Sequence, residues 1–143
     1  MPADILHAVE IEASPEDVYE AVSSQKGLAS FWTSDCDAEA TEGAAARFGF
    51  PQAPVDQKMR IDALEPARRV AWTAQGDFPH WEGTTLAWEM EPSEKGTNLL
   101  FRHGGWGDGY PEQDWAGVNW VWGQVVARLK GYAESGEPQP FFG

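Results

Sequence analysis

Basic residues are scarce in this chain of 143 residues: Lys and Arg number 10 against 23 Asp and Glu, a formal net charge of −13. Lys26 is the only Lys or Arg in the first 46 residues. A surface built for nucleic-acid phosphates needs the opposite balance, and an anionic membrane surface also selects for basic faces. Cysteine is nearly absent. Cys36 stands alone, which excludes an internal disulfide and any multi-cysteine metal site and fits a reducing, cytoplasmic setting. No apolar run approaches the roughly 20 residues of a membrane span, and the opening MPADILHAVE lacks a charged-then-apolar signal pattern. Repeats and low-complexity tracts are missing too. The expectation is a soluble cytoplasmic protein with residues 1–143 in one domain.

Tryptophan is abundant instead. The chain holds 8, and Trp106, Trp115, Trp120 and Trp122 crowd into HGGWGDGYPEQDWAGVNWVWG, residues 103–123. Around them the periodicity changes three times. Ile5, His7, Val9 and Ile11 alternate as in a half-buried strand. In ASPEDVYEAV, Ser14 suits an N-cap, Pro15 the first helical position, and Glu16 and Asp17 the first turn. Gly27 reads as a break before a second short helix, LASFW.

From Asp35 to His103 strands follow one another: RFGF, KMRIDAL, RRVAWTA, TTLAWEM and TNLLFRH, with turn residues between them. One alternate set is apolar in each, namely Phe48 and Phe50; Met59, Ile61 and Ala63; Val70, Trp72 and Ala74; Leu86, Trp88 and Met90; and Leu99, Phe101 and His103. A sheet with one solvated and one covered face follows. Its cover is a helix from near Pro111 to about Ser135, where Trp115, Val118, Trp122, Val125, Leu129 and Tyr132 form one stripe and Gly136 ends it.

This order of elements resembles the START-like, or SRPBCC, helix-grip superfamily, and within it the family named after the activator of heat shock protein 90 ATPase homologue. Val9-Glu10-Ile11, Ser14 through Tyr19, Leu28 through Trp32, Leu100 through Gly104, Arg128 through Tyr132 and Ser135 through Pro138 carry the resemblance. It implies an α+β fold: a curved antiparallel sheet wrapped around a long C-terminal helix, two short helices after the first strand, and the first and last strands as neighbours. It also implies an apolar cavity between sheet and helix that takes a lipid-like or polyketide-like molecule.

The residues expected around such a ligand are Trp32, Trp72, Trp88, Phe101, His103, Trp115, Asn119 and Trp122. Ligand cavities are apolar clefts with a few polar groups, and Trp72, Trp88, Trp115 and Trp122 should converge there. His103 shares the inward face, so its imidazole needs a partner, with Asn119 or Tyr110 as candidates. Two readings of His103 stand: a hydrogen-bonded core residue, or an acid/base at the cavity mouth. The loop GGWGDGY departs from a phosphate-binding GxGxxG, and Glu112 and Asp114 would repel phosphate at the following helix start. His7 and His103 alone fall short of a zinc site. Cys36 reads as a small inward apolar residue, and Asp35, Asp37, Glu39 and Glu42 as a solvated strand face.

The expected function is therefore non-enzymatic binding of a small hydrophobic or aromatic molecule, with no cofactor or metal and as a monomer or homodimer. Two alternatives stand beside it. One is a co-chaperone-like interaction protein, anchored by exposed Trp106, Trp120 or Phe141-Phe142; the other is a polyketide cyclase- or hydrolase-like enzyme using His103.

Overall fold

The architecture comes from a computed structural model that describes residues 2–51, 53–76 and 78–143. Strand β1 (Ile5–Ile11) leads into two short helices, α1 (Pro15–Ser23) and α2 (Gln25–Phe31). Then come β2 (Cys36–Asp37), β3 (Ala45–Phe48), β4 (Gln57–Glu65), β5 (Arg69–Gln75), β6 (Thr85–Pro92) and β7 (Thr97–Gly104), and finally α3 (Glu112–Ser135). The sheet is antiparallel, in the order β1-β7-β6-β5-β4-β3-β2. Pairing of Ile5 with His103 and of Ile11 with Thr97 joins the first and last strands. This is the helix-grip fold expected from the chain.

Local chemistry places the helices. Ser14 accepts from the Asp17 amide at 3.1 Å and Pro15 opens α1. Ser24, not Gly27, divides the helical pair: its amide donates to Glu20 O, and its hydroxyl accepts from the Gly27 amide at 3.0 Å. Gly27 lies inside α2 for a steric reason. A Cβ there would sit 2.2 Å from the Ala21 carbonyl oxygen, so glycine lets α1 and α2 approach closely.

Alternation holds along most of the sheet; Ala71 and Ala87 of the outward set are buried as well, and the inward set itself departs from expectation at two places. A bulge between Ile61 and Ala63 ends the inward phase of β4, leaving Ala63 only half-buried. Phe50 lies beyond the end of β3 rather than within it, and turns to the cleft described below.

Helix α3 buries Trp122, Val125, Val126 and Leu129, while Trp115, Val118 and Tyr132 are half-buried at its flanks. Gly136 ends it in the left-handed conformation (φ 76°), donating to Tyr132 O at 2.7 Å. Along β1 the helix also covers a sheet edge. His7 Nε2 donates to Asn119 O at 3.1 Å, Lys130 Nζ to Glu10 O at 2.9 Å, and the Glu12 amide to Glu134 Oε2 at 2.8 Å. The last two bonds occupy backbone groups, Glu10 O and the Glu12 amide, that would otherwise offer a template for another strand.

Candidate functional site

The inward strand faces bring aromatic rings together in a continuous layer. Trp72 lies 6.1 Å from both Trp32 and Trp88, Trp88 is 4.6 Å from Phe101, and Phe101 is 4.4 Å from Trp122. Trp72, Trp88, Phe101 and Trp122 are at most 2% exposed. Such pairs add roughly 0.5–1.5 kcal/mol each beyond simple burial. The Trp88 Nε1 is buried without a hydrogen-bond partner among the described residues, as is that of Trp115.

His103, fully buried, is held by a directed chain of hydrogen bonds. Trp122 Nε1 donates to Nδ1 at 3.1 Å. An indole N–H can only donate, so Nδ1 is the acceptor and the proton of the neutral ring is on Nε2. Nε2 then donates to Thr84 Oγ1 at 2.9 Å, and Thr84 passes its own proton to Trp81 O at 2.6 Å. Burial holds the imidazole pKa down to about 3, and protonation at Nδ1 would set two N–H groups against each other. The partners are thus Trp122 and Thr84, not Asn119 or Tyr110. With both ring nitrogens engaged, His103 has no free lone pair or proton to offer a substrate.

Two tryptophans outside the regular elements complete this region. Trp106, 1% exposed, packs 4.2 Å from His103 and donates from Nε1 to His103 O at 3.0 Å. It is therefore core, not the exposed anchor its glycine-rich surroundings suggested. Trp81, between β5 and β6, lies 4.7 Å from His103 and is stacked at 6.3 Å on Trp122. Gly105 turns the chain ahead of Trp106 with φ 79°, a conformation that favours glycine.

Above this layer opens a cleft of about 1100 Å³. Trp32 and Trp122 form part of its floor, and Phe50, Phe78, Trp81, Tyr110, Val118, Trp120, Val121, Phe141 and Phe142 contribute walls and rim. Apart from the indole N–H groups, polar side chains among the described lining residues are few: His80, Gln113, Asp114 and the Tyr110 hydroxyl. His80 stacks on Tyr110 at 4.8 Å from a left-handed backbone conformation (φ 68°) that is uncommon for a non-glycine residue. The Tyr110 hydroxyl has its pKa raised, chiefly by burial and then by the nearby negative charge of Asp114, against a lowering hydrogen bond from Trp81.

The chain's last residues build one wall. The Gln139 amide donates to Ser30 O at 2.7 Å, that of Phe141 to Phe31 O at 3.1 Å and that of Phe142 to Trp32 O at 2.8 Å, while Ser34 N donates to Phe142 O at 2.9 Å. Arg128 Nη1 reaches the carbonyls of Gln139 and Pro140 at 3.0 and 3.3 Å.

Of the eight residues expected around a ligand, Trp32 and Trp122 line this cleft. Trp72, Trp88, Phe101 and His103 form the packed layer beneath. Trp115 is half-buried on α3, and Asn119 meets His7 through its backbone carbonyl; neither lines the cleft. Phe50, expected as an inward strand residue beside Phe48, lies past the end of β3 and lines the cleft instead. Trp81 and Phe78 were missed because they follow no strand or helix period. Their only sequence signal is two large rings, Phe78 and Trp81, three residues apart in a turn that solvent alone would not favour.

The other candidates have structural settings. Cys36 is buried, and its thiol pKa is raised by burial first and by Asp37 and Asp35 next, which keeps it protonated and unreactive. Arg47 gathers Asp35 and Asp37 at 2.8 and 2.9 Å, with Asp56 at 3.3 Å. Among the described residues no helix is long and apolar enough to cross a membrane.

The family model described as "Activator of Hsp90 ATPase homolog 1-like protein" matches residues 12–134. The chain belongs to this family. A comparison with curated proteins gives no match. Among solved structures, the Aha1 dimer from Colwellia psychrerythraea is similar at TM-score 0.83 and 29% identity, covering 94% of this chain and 98% of that one. Protein SSP2350 from Staphylococcus saprophyticus has the same fold at TM-score 0.75 and 21% identity, covering 96% of each chain. DynU16, a putative protein in the dynemicin biosynthetic locus, aligns at TM-score 0.80 and 24% identity over 99% of this chain and 51% of its own.

Proposed function

We propose that residues 1–143 act as one non-enzymatic binding domain, holding a small, flat, apolar or aromatic molecule in the cleft above Trp32 and Trp122. The cleft itself carries this reading. Its volume, about 1100 Å³, lies just above the roughly 300–1,000 Å³ of small-molecule sites, and its rings with a few polar groups at the rim match their usual make-up. His103 serves as a positioning residue for Trp122, since its hydrogen bonds are used within the protein.

The test is a titration of apolar and aromatic compounds followed by tryptophan emission, which Trp32, Trp81 and Trp122 should report. Saturable quenching that is lost in Gly117→Leu supports the reading, because Gly117 lines the cleft and a Cβ there has open space before it. No saturable response from any compound overturns it.

A second reading rests on Trp120, which is 64% exposed at the rim, and on the dimeric structure of the Colwellia protein. Exposed tryptophan is a common interface anchor, so this chain would form a homodimer through Trp120. Sedimentation at high concentration tests it: a monomer in both native protein and Trp120→Ser counts against the dimer.

A further inference from the structure

The charge around the cleft narrows the ligand further than its apolar lining does. Among the described lining residues there is no Lys or Arg, and the ionisable side chains are His80, Tyr110 and one carboxylate, Asp114. Asp114 lies in the first turn of α3 together with Glu112. Tyr110 feels its charge, which helps hold the phenol protonated.

One feature of the helix works the other way. The N-terminus of α3 has no side-chain cap and presents about half a unit of positive charge. Two carboxylates in that same turn exceed it, so the local field at the rim is negative. The chain's net charge of −13 adds a long-range potential of the same sign. Arg128 keeps its charge behind the wall, its guanidinium carbon 5.8 Å from the Phe141 ring centre and its Nη1 donating to the Gln139 and Pro140 carbonyls, but it is not a lining residue, whereas Asp114 is.

Aromatic rings beside a carboxylate favour cations, because the ring face carries negative charge and the indole face most of all. Trp81, Trp120 and Phe78 provide such rings in this cleft. A carboxylate ligand such as a fatty acid would instead meet Asp114 with no basic side chain from the lining to balance it.

We propose that the cleft selects an aromatic molecule carrying a positive charge, with Asp114 as its counter-ion and the indoles of Trp81 and Trp120 beside the cationic group. This rests on the cleft being the binding site.

Three probes with one ring system separate the two ideas: (2-naphthylmethyl)trimethylammonium, 2-naphthalenemethanol and 2-naphthoate, each titrated against the full chain by tryptophan emission. The expected order is cation, neutral, anion. At about 20 mM salt the cation should bind roughly 10-fold tighter than the anion, with the ratio shrinking at about 500 mM. Asp114→Asn should bring the ratio below about 3-fold, while Glu112→Gln, whose carboxylate is outside the lining, should change it less. Equal or tighter binding of 2-naphthoate overturns the charge preference but leaves the cleft as a binding site. Binding by none of the three overturns both.

Discussion

The indole Nε1 of Trp122, on the closing helix, donates to Nδ1 of His103, on the last strand, at 3.1 Å. That bond ties α3 to the sheet at the level of the cleft floor and leaves the imidazole one tautomer. Its consequences can be measured.

Trp122→Phe keeps a ring in place but leaves Nδ1 of His103 buried without a donor. An unsatisfied buried acceptor costs about 1–3 kcal/mol, and the smaller ring loses contacts with Trp32 and Trp88. Urea unfolding should show a loss of at least that size. A change under about 0.5 kcal/mol would mean that the bond contributes little.

The same histidine makes stability depend on pH. Its folded pKa is depressed to about 3 from an ordinary value of 6.5, so below pH 6.5 the unfolded chain takes up a proton that the folded one refuses. The contribution is full above pH 6.5 and is lost as pH falls toward 3, by about 1.4 kcal/mol per unit where the shift operates. Comparing urea unfolding of native protein and His103→Gln from pH 7 to pH 4 isolates this from the carboxylates. The gap between the two should narrow as pH falls, and a constant gap would contradict the depressed pKa.

Two helical glycines should respond to alanine with opposite signs. In Gly27→Ala the new Cβ meets the Ala21 backbone at 2.2 Å, so α1 and α2 must separate, at a cost of about 2–4 kcal/mol. At Gly117 a Cβ has nothing within 4 Å, and alanine should stabilise by up to about 1 kcal/mol through helix propensity. Thermal unfolding of the two variants checks both signs.

Arg128→Ala removes the guanidinium that holds Gln139 and Pro140. The wall formed by Phe141 and Phe142 should loosen, weakening binding of an aromatic probe by about five-fold, the equivalent of roughly 1 kcal/mol. Faster trimming of the tail by carboxypeptidase, followed by mass spectrometry, would accompany it. Unchanged trimming would place the tail's hold entirely on its backbone bonds to Ser30, Phe31 and Trp32.

Much of this protein was legible in one dimension because its strands are half-buried and its helices are capped locally. Alternation put Trp72, Trp88, Phe101 and His103 on the inner face, and Ser14 with Pro15 marked a helix start, since those signals depend on neighbours within a few residues. Gly136 announced the end of α3 for the same reason. Tertiary structure decided the rest. Gly27 looked like a breaker because its real constraint, the Ala21 carbonyl, belongs to the adjacent helix. His103 finds Trp122 and Thr84 each 19 residues away, a choice set by how α3 and the β5–β6 turn pack. Trp81, Trp106 and Phe142 sit in segments without periodicity, and only long-range packing makes one of them core and two of them cleft wall. Local backbone chemistry therefore wrote the elements and their buried faces; where the open space lies, and which rings border it, followed from the meeting of segments distant in the chain.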